Sequence, residues 1–196
     1  MIKRMIGAIL LCVCFQSLTA QNLMHSFGAT IAITTGKISN GYSRSNFSLS
    51  QNYLSYFPRY NFVENENSSI SIGAPIGLGV GIAQNSYMGE DIGFAFAYDL
   101  PLVIDYNIGC KSTYDNEQTF GGYLGAGFGY NYVSISGSQY SDFKGSSYGP
   151  IFRGGVRIGS NKESWAGHSI TIGVFYKKDL QKNPFNSFGF NVYYDL

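Results

Sequence analysis

The chain has 196 residues, of which 13% are charged, 16% are aromatic and 25 are glycine, and its formal net charge is +1. An average soluble domain carries about twice that charged fraction, and so balanced a charge excludes the basic footprint of a nucleic-acid-binding protein. Cys12, Cys14 and Cys110 are too few and too unevenly spread for a disulfide scaffold.

Lys3 and Arg4 precede an apolar run from Met5 to Phe15, followed by Ser17-Leu18-Thr19-Ala20. This is the pattern of a secretory signal peptide over residues 1–20, leaving 21–196 as the expected mature barrel chain. The apolar core falls short of the roughly 20 residues a spanning helix needs. Cys12 and Cys14 raise a lipidated N-terminus as an alternative, but Leu11 and Val13 stand where that processing takes a small side chain. Without Lys3 and Arg4, the 13 basic residues fall to 11 against 12 acidic ones. Cys110 is then the one remaining cysteine, expected as an unreactive thiol at a strand end. No later stretch reads as a transmembrane helix, so a membrane-spanning fold would cross by strands closed into a barrel.

The first predicted strand, near Ser26 to Thr35, turns Phe27, Ala29, Ile31 and Ile33 outward and Thr30, Ala32 and Thr34 inward. A polar segment, Gly36 to Gln51, reads as a long loop. Strand two, near Asn52 to Val63, sends Leu54, Tyr56, Tyr60 and Phe62 outward against Ser55, Phe57, Arg59 and Asn61, with a bulge expected at Pro58. Glu64 to Asn67 is a polar turn.

Strand three, Ser69 to Ala83, has the clearest alternation: Ile70, Ile72, Ala74, Ile76, Leu78, Val80 and Ile82 on one face, and only Ser, Gly and Pro75 opposite. An ordinary strand runs roughly 5 to 6 residues; a longer one with a greasy face and a nearly empty face suits a narrow barrel wall in lipid. Strand four repeats the pattern from Ile92 to Asn107, and strand five from Thr119 to Ser134, where Gly121, Gly125, Gly127 and Gly129 lie inward. Phe96 to Tyr106, tilted by about 40°, rises roughly 25 Å, the height of an outer-membrane apolar band. Ser136 to Ser147 reads as a second long loop.

Strand six, Tyr148 to Gly159, opposes Phe152, Val156 and Ile158 to Arg153, Gly155 and Arg157; strand seven opposes Ile170, Ile172, Val174 and Tyr176 to Thr171, Gly173, Phe175 and Lys177. The last strand turns Phe188, Phe190, Val192, Tyr194 and Leu196 outward. The expected fold is all-β, a transmembrane antiparallel up-and-down barrel of about eight strands, with both termini on the periplasmic side. A soluble cup would invert the faces and carry Lys, Glu and Thr on the solvent side, where this chain has Gly, Ser and Ala.

YFPRYNF at Tyr56 to Phe62, SISIGAPIGLGVG at Ser69 to Gly81, DLPLVIDYNIG at Asp99 to Gly109 and GGYLGAGFGY at Gly121 to Tyr130 cover the main strands. With the signal peptide and the aromatic last strand, the chain resembles small eight-stranded outer-membrane β-barrel proteins, more narrowly uncharacterised ones from Bacteroidota. The resemblance implies an outer membrane and its lipid, a BAM-type insertion machine, no cofactor and no site residues to carry over. Such barrels usually end on Phe; this chain ends Tyr193-Tyr194-Asp195-Leu196, which bears on insertion efficiency.

By parity the inward ionisable residues are Arg59, Asp99, Asp105, Arg153, Arg157, Lys177 and Asp195. Buried charges persist when paired and hydrogen-bonded, so they read as a structural network plugging the lumen, or as gating charges of a narrow conduit. Gly77, Gly79 and Gly81 share one strand face and lack the strand-to-helix turn of a phosphate loop. His25 and His168 neighbour Ser26 and Ser169, but adjacent strand residues face opposite ways, which disfavours a base–nucleophile pair. Arg44, Tyr140 and Lys144 fall in the two long loops, available to an extracellular ligand, and Tyr114 and Trp165 are expected at the opposite rim. The sequence therefore points to a monomeric, non-enzymatic outer-membrane barrel with a structural or adhesive surface role. A porin-like conduit is the alternative and a lipid-modifying barrel enzyme a third.

Overall fold

The computed structural model describes residues 22–39, 44–85, 92–137, 140–159, 167–181 and 185–196. The expected signal segment 1–20 and Trp165 lie outside them. Nine strands form one antiparallel sheet: β1 (Leu23–Ser39), β2 (Arg44–Asn65), β3 (Ser68–Gly73), β4 (Ile76–Asn85), β5 (Ile92–Gly109), β6 (Phe120–Gly137), β7 (Tyr140–Gly159), β8 (Ser169–Lys177) and β9 (Asn186–Asp195). Pairing follows chain order, and β1 pairs with both β2 and β9, so the sheet closes on itself. Because β3 and β4 both lie between β2 and β5, they are two halves of one stave. The ring is an up-and-down barrel of eight staves.

Period two sets what each face carries. Leu54 is 80% exposed on the outside and Leu124 73%, whereas their inward neighbours Tyr53, Ser55 and Tyr123 are buried. Phe, Ile, Leu and Val side chains continue around the outer face from Phe27 to Phe190. Apolar patches on soluble monomers seldom exceed a few hundred Å²; a continuous band of this kind suits lipid.

Three sequence expectations are corrected. The stave Ser69 to Ala83 is not continuous: it breaks at Ala74-Pro75. The flanking registers place Pro75 opposite Pro101 of β5 and Ala74 opposite Pro58 of β2. Two opposed prolines have no N–H to exchange, so the ladder is interrupted there, while the Ala74 amide still donates to the Pro58 carbonyl at 3.1 Å. Pro58 itself stays in register with His25 of β1, and the irregularity of β2 lies between Asn61 and Val63.

The third correction concerns the polar segments. Gly36 to Gln51 and Ser136 to Ser147 are mostly paired strand, with β1 and β2 in register to Ser39 opposite Arg44, and β6 and β7 to Gly137 opposite Tyr140. Arg44 and Tyr140 begin strands, and Lys144 is an exposed residue of β7. The sequence of these segments is rich in Ser, Gly and Asn, so no apolar alternation marks a strand. At 22 and 20 residues, β2 and β7 far exceed the roughly 9–11 a transmembrane strand needs, and two hairpins rise beyond β8 and β9, which have 9 and 10 residues.

Candidate functional site

All functional candidates of the sequence except the histidines and the surface hairpins converge on the barrel interior. Arg59, Asp105, Arg153, Arg157, Lys177 and Asp195 are each buried there, and Asp99 is half-buried. They do not form one network. Lys177 Nζ and Asp99 Oδ1 pair at 2.9 Å toward the end opposite the termini, here the distal end. The other five gather toward the end near the termini.

In that terminal cluster Arg153 Nε lies 3.7 Å from Asp105 Oδ1, and its guanidinium is stacked between Phe57 and Tyr123, 4.5 and 4.7 Å from the ring centres. Cation–π contacts of this kind are strongest when desolvated. Arg157 also lies over Tyr123, at 5.1 Å. Asp195 accepts hydroxyl hydrogen bonds from Ser26, Ser169 and Thr171. Arg59 Nη1 and Arg157 Nη2 both donate to Asn107 Oδ1, at 3.1 and 2.8 Å, and both arginines donate to the Lys111 carbonyl.

That carbonyl belongs to the turn after β5, which folds into the barrel mouth. Cys110, Lys111 and Ser112 are all buried, and Lys111 has a positive φ of 53°. Burial pushes the Cys110 thiol pKa up, and its hydrogen bond with Ser169 opposes that shift. Burial, and then the like charge of Arg59, lowers the pKa of Lys111, whose ammonium stands 5.2 Å from the centre of the exposed Tyr114 ring.

The distal end uses different groups. Asp179 accepts from the backbone amides of Tyr148, Gln181 and Phe185, and Phe185 packs against the buried cluster that includes Leu49, Val133 and Ile135. Asn131 donates to Tyr53, Thr30 bonds Ser55, and Thr34 bonds both Gln51 and Ser187. Two cavities of about 20 Å³ lie within the barrel, one lined by Tyr53, Pro75, Asp99, Arg153, Asn191 and Tyr193 among others, one by Thr34, Asn131, Ser147 and Phe185 among others. Each has room for about one water molecule.

The empty glycine face turns out to serve aromatic rings more than charges. A Cβ at Gly73 would strike the Phe57 ring, at Gly79 Tyr53, at Gly155 and Gly173 Tyr123, and at Gly189 Phe175. Gly125 makes room for the Asp105 carboxylate and Gly129 lies beside the Lys177 stem, while Gly73 borders the Arg59 Cβ as well as the Phe57 ring. Tyr53, Tyr123, Tyr193 and Asn107 carry much of the interior; parity marks their direction, but which glycine each faces depends on register. Nothing local announces that Lys111, Ser112 or Phe185 turns inward.

His25 Nδ1 is 2.7 Å from the Tyr56 hydroxyl, and the His168 ring stacks on Tyr194 at 5.4 Å. Ser169 points the other way, into the barrel. Among the described residues no group of three His, Cys, Asp or Glu side chains is placed to hold a metal ion.

No protein-family model matches the chain, and no curated protein matches it significantly. Solved structures do. Neisserial surface protein A is similar over 89% of this chain and 96% of its own, with a TM-score of 0.52 at 13% identity. The outer membrane protein OprG from Pseudomonas aeruginosa is similar over 88% and 92%, with a TM-score of 0.53 at 11% identity. The fold is that of the eight-stranded outer-membrane barrels.

Proposed function

We propose that the chain is a non-enzymatic outer-membrane barrel protein with a largely plugged lumen and a structural or adhesive role at the cell surface. It would be exported through residues 1–20, inserted by a BAM-type machine and surrounded by outer-membrane lipid as a monomer, in the manner of the Bacteroidota barrels it resembles. The observation that carries the plugged lumen is the size of the two cavities within the barrel, about 20 Å³ each, between interior side chains that pack on one another. Eight staves enclose little more than their own side chains. The seven interior charges then serve as braces between strands.

With the lumen filled, the working surface is the pair of hairpins, Thr35 to Ser48 and Ser136 to Ser147, standing beyond the apolar band on what would be the extracellular side. Replacing each tip by a two-residue turn should leave heat-modifiable, outer-membrane-inserted protein while reducing attachment of cells to polysaccharide or host surfaces; undiminished attachment would remove the adhesive role. The conduit reading draws on the polar side chains that continue from Asp195 to Ser147, and conductance separates it from the plug. Absence of catalysis is supported by the divergence of His168 from Ser169; phospholipid or lipid A hydrolysis that disappears in His168→Ala would refute it.

A further inference from the structure

Four side-chain donors converge on two main-chain oxygens in the terminal mouth. Arg59 of β2 and Arg157 of β7 donate to the Lys111 carbonyl, the latter at 3.5 Å; Asn61 of β2 and Ser69 of β3 donate to the Ser112 carbonyl, Asn61 at 3.0 Å. The other acceptor the two arginines share, Asn107 Oδ1, is equally neutral, as is the Met24 sulfur to which Arg59 Nη2 also donates. Among the described residues no carboxylate is in ion-pair contact with Arg59 or Arg157, and the Nε of each, on side chains only 1% exposed, makes no hydrogen bond.

The buried groups of this cluster are four cations, Arg59, Arg153, Arg157 and Lys111, against two carboxylates, Asp105 and Asp195, an excess of two positive charges. Burying charge without a counter-charge is costly, and carbonyl dipoles meet it only in part. Arginine forks match the planar, multi-oxygen edge of an oxyanion and bind it through paired, charge-assisted hydrogen bonds. We propose that Arg59 and Arg157 form a binding site for a multivalent oxyanion of the phosphate class, reached from the terminal rim by displacing the Lys111 and Ser112 carbonyls that occupy the donors. The turn from Cys110 to Ser112 is then a strap that anion binding lifts. The site stands on the donors and the charge excess and not on the lumen being plugged, so conductance and anion binding fail separately.

Cys110, 2% exposed, is a reporter within the strap. The folded protein in detergent micelles is titrated with inorganic phosphate at constant ionic strength, and maleimide labelling of Cys110 is followed by peptide mass spectrometry. Labelling should rise about tenfold and saturate with phosphate, not with chloride. Arg157→Gln and Arg59→Gln should abolish the saturable rise, and Lys178→Gln, on the exposed far side, should keep it. Should the Gln variants fail to fold, Arg157→Lys and Arg59→Lys retain the charge but lose the fork, and should weaken the half-saturating concentration at least tenfold. A parallel titration with short-chain phosphatidylglycerol identifies the source: saturation at lower concentration than phosphate assigns a lipid headgroup, the reverse a free ion. Labelling indifferent to both anions, equal with chloride, or unchanged in the arginine variants would overturn the site.

Discussion

The two ends of the barrel interior are filled by unlike chemistry. At the terminal end, three arginines and two aspartates gather, and a turn offers its carbonyls as acceptors to Arg59 and Arg157; at the distal end stand hydroxyls, one lysine–aspartate pair and the Phe185 ring. A buried ion pair broken on one side leaves a stranded charge, at roughly 3–5 kcal/mol, whereas hydroxyl contacts contribute about 1 kcal/mol each. The crowded charges of the terminal end therefore resist piecemeal change, as the Lys177–Asp99 pair does at the distal end, whereas the distal hydroxyls and the Phe185 ring tolerate it. On the plugged-lumen proposal, one end would act as a clamp and the other as a stopper.

Four substitutions can break that comparison. The largest effect is expected for Gly125→Leu, whose side chain would take the place of the Asp105 carboxylate; heat-modifiable folded protein should be lost altogether. Arg153→Ala strands Asp105 and should cost about 3–5 kcal/mol in urea unfolding followed by far-UV circular dichroism, part of it recovered in Arg153→Ala/Asp105→Ala. Phe185→Ala, which removes a half-buried ring from the distal stopper, should cost only about 1–2 kcal/mol. A larger loss for Phe185→Ala than for Arg153→Ala would reverse the assignment of clamp and stopper. Leu54→Ala, on the lipid-facing wall, should change stability by less than about 0.5 kcal/mol in micelles and so sets the baseline for the other three.

What could be read in the chain beforehand follows the same division between regular and irregular backbone. Alternation identifies a strand and both its faces at once, so the outward Ile76, Leu78 and Val80 and the inward Arg59, Arg153 and Arg157 are legible one residue at a time. Partnership is not. That Pro75 meets Pro101 depends on the register of two strands some 25 residues apart in sequence, and so does the fit of Gly155 against Tyr123. The strand ends beyond the apolar band were hidden because their sequence is rich in Ser, Asn and Gly, which spell a loop as readily as a strand. Hardest of all is the strap: Cys110-Lys111-Ser112 is an unremarkable polar turn until Arg59, Asn61, Ser69 and Arg157 are placed around its carbonyls.

If the two fillings, clamp and stopper, plug the lumen as proposed, no continuous aqueous path runs along the axis. Planar-bilayer recording of the purified protein tests it most directly. A plugged barrel should give a baseline without steady channels in molar salt; reproducible openings of uniform size would refute the plug and turn the interior charges into the lining of a pore.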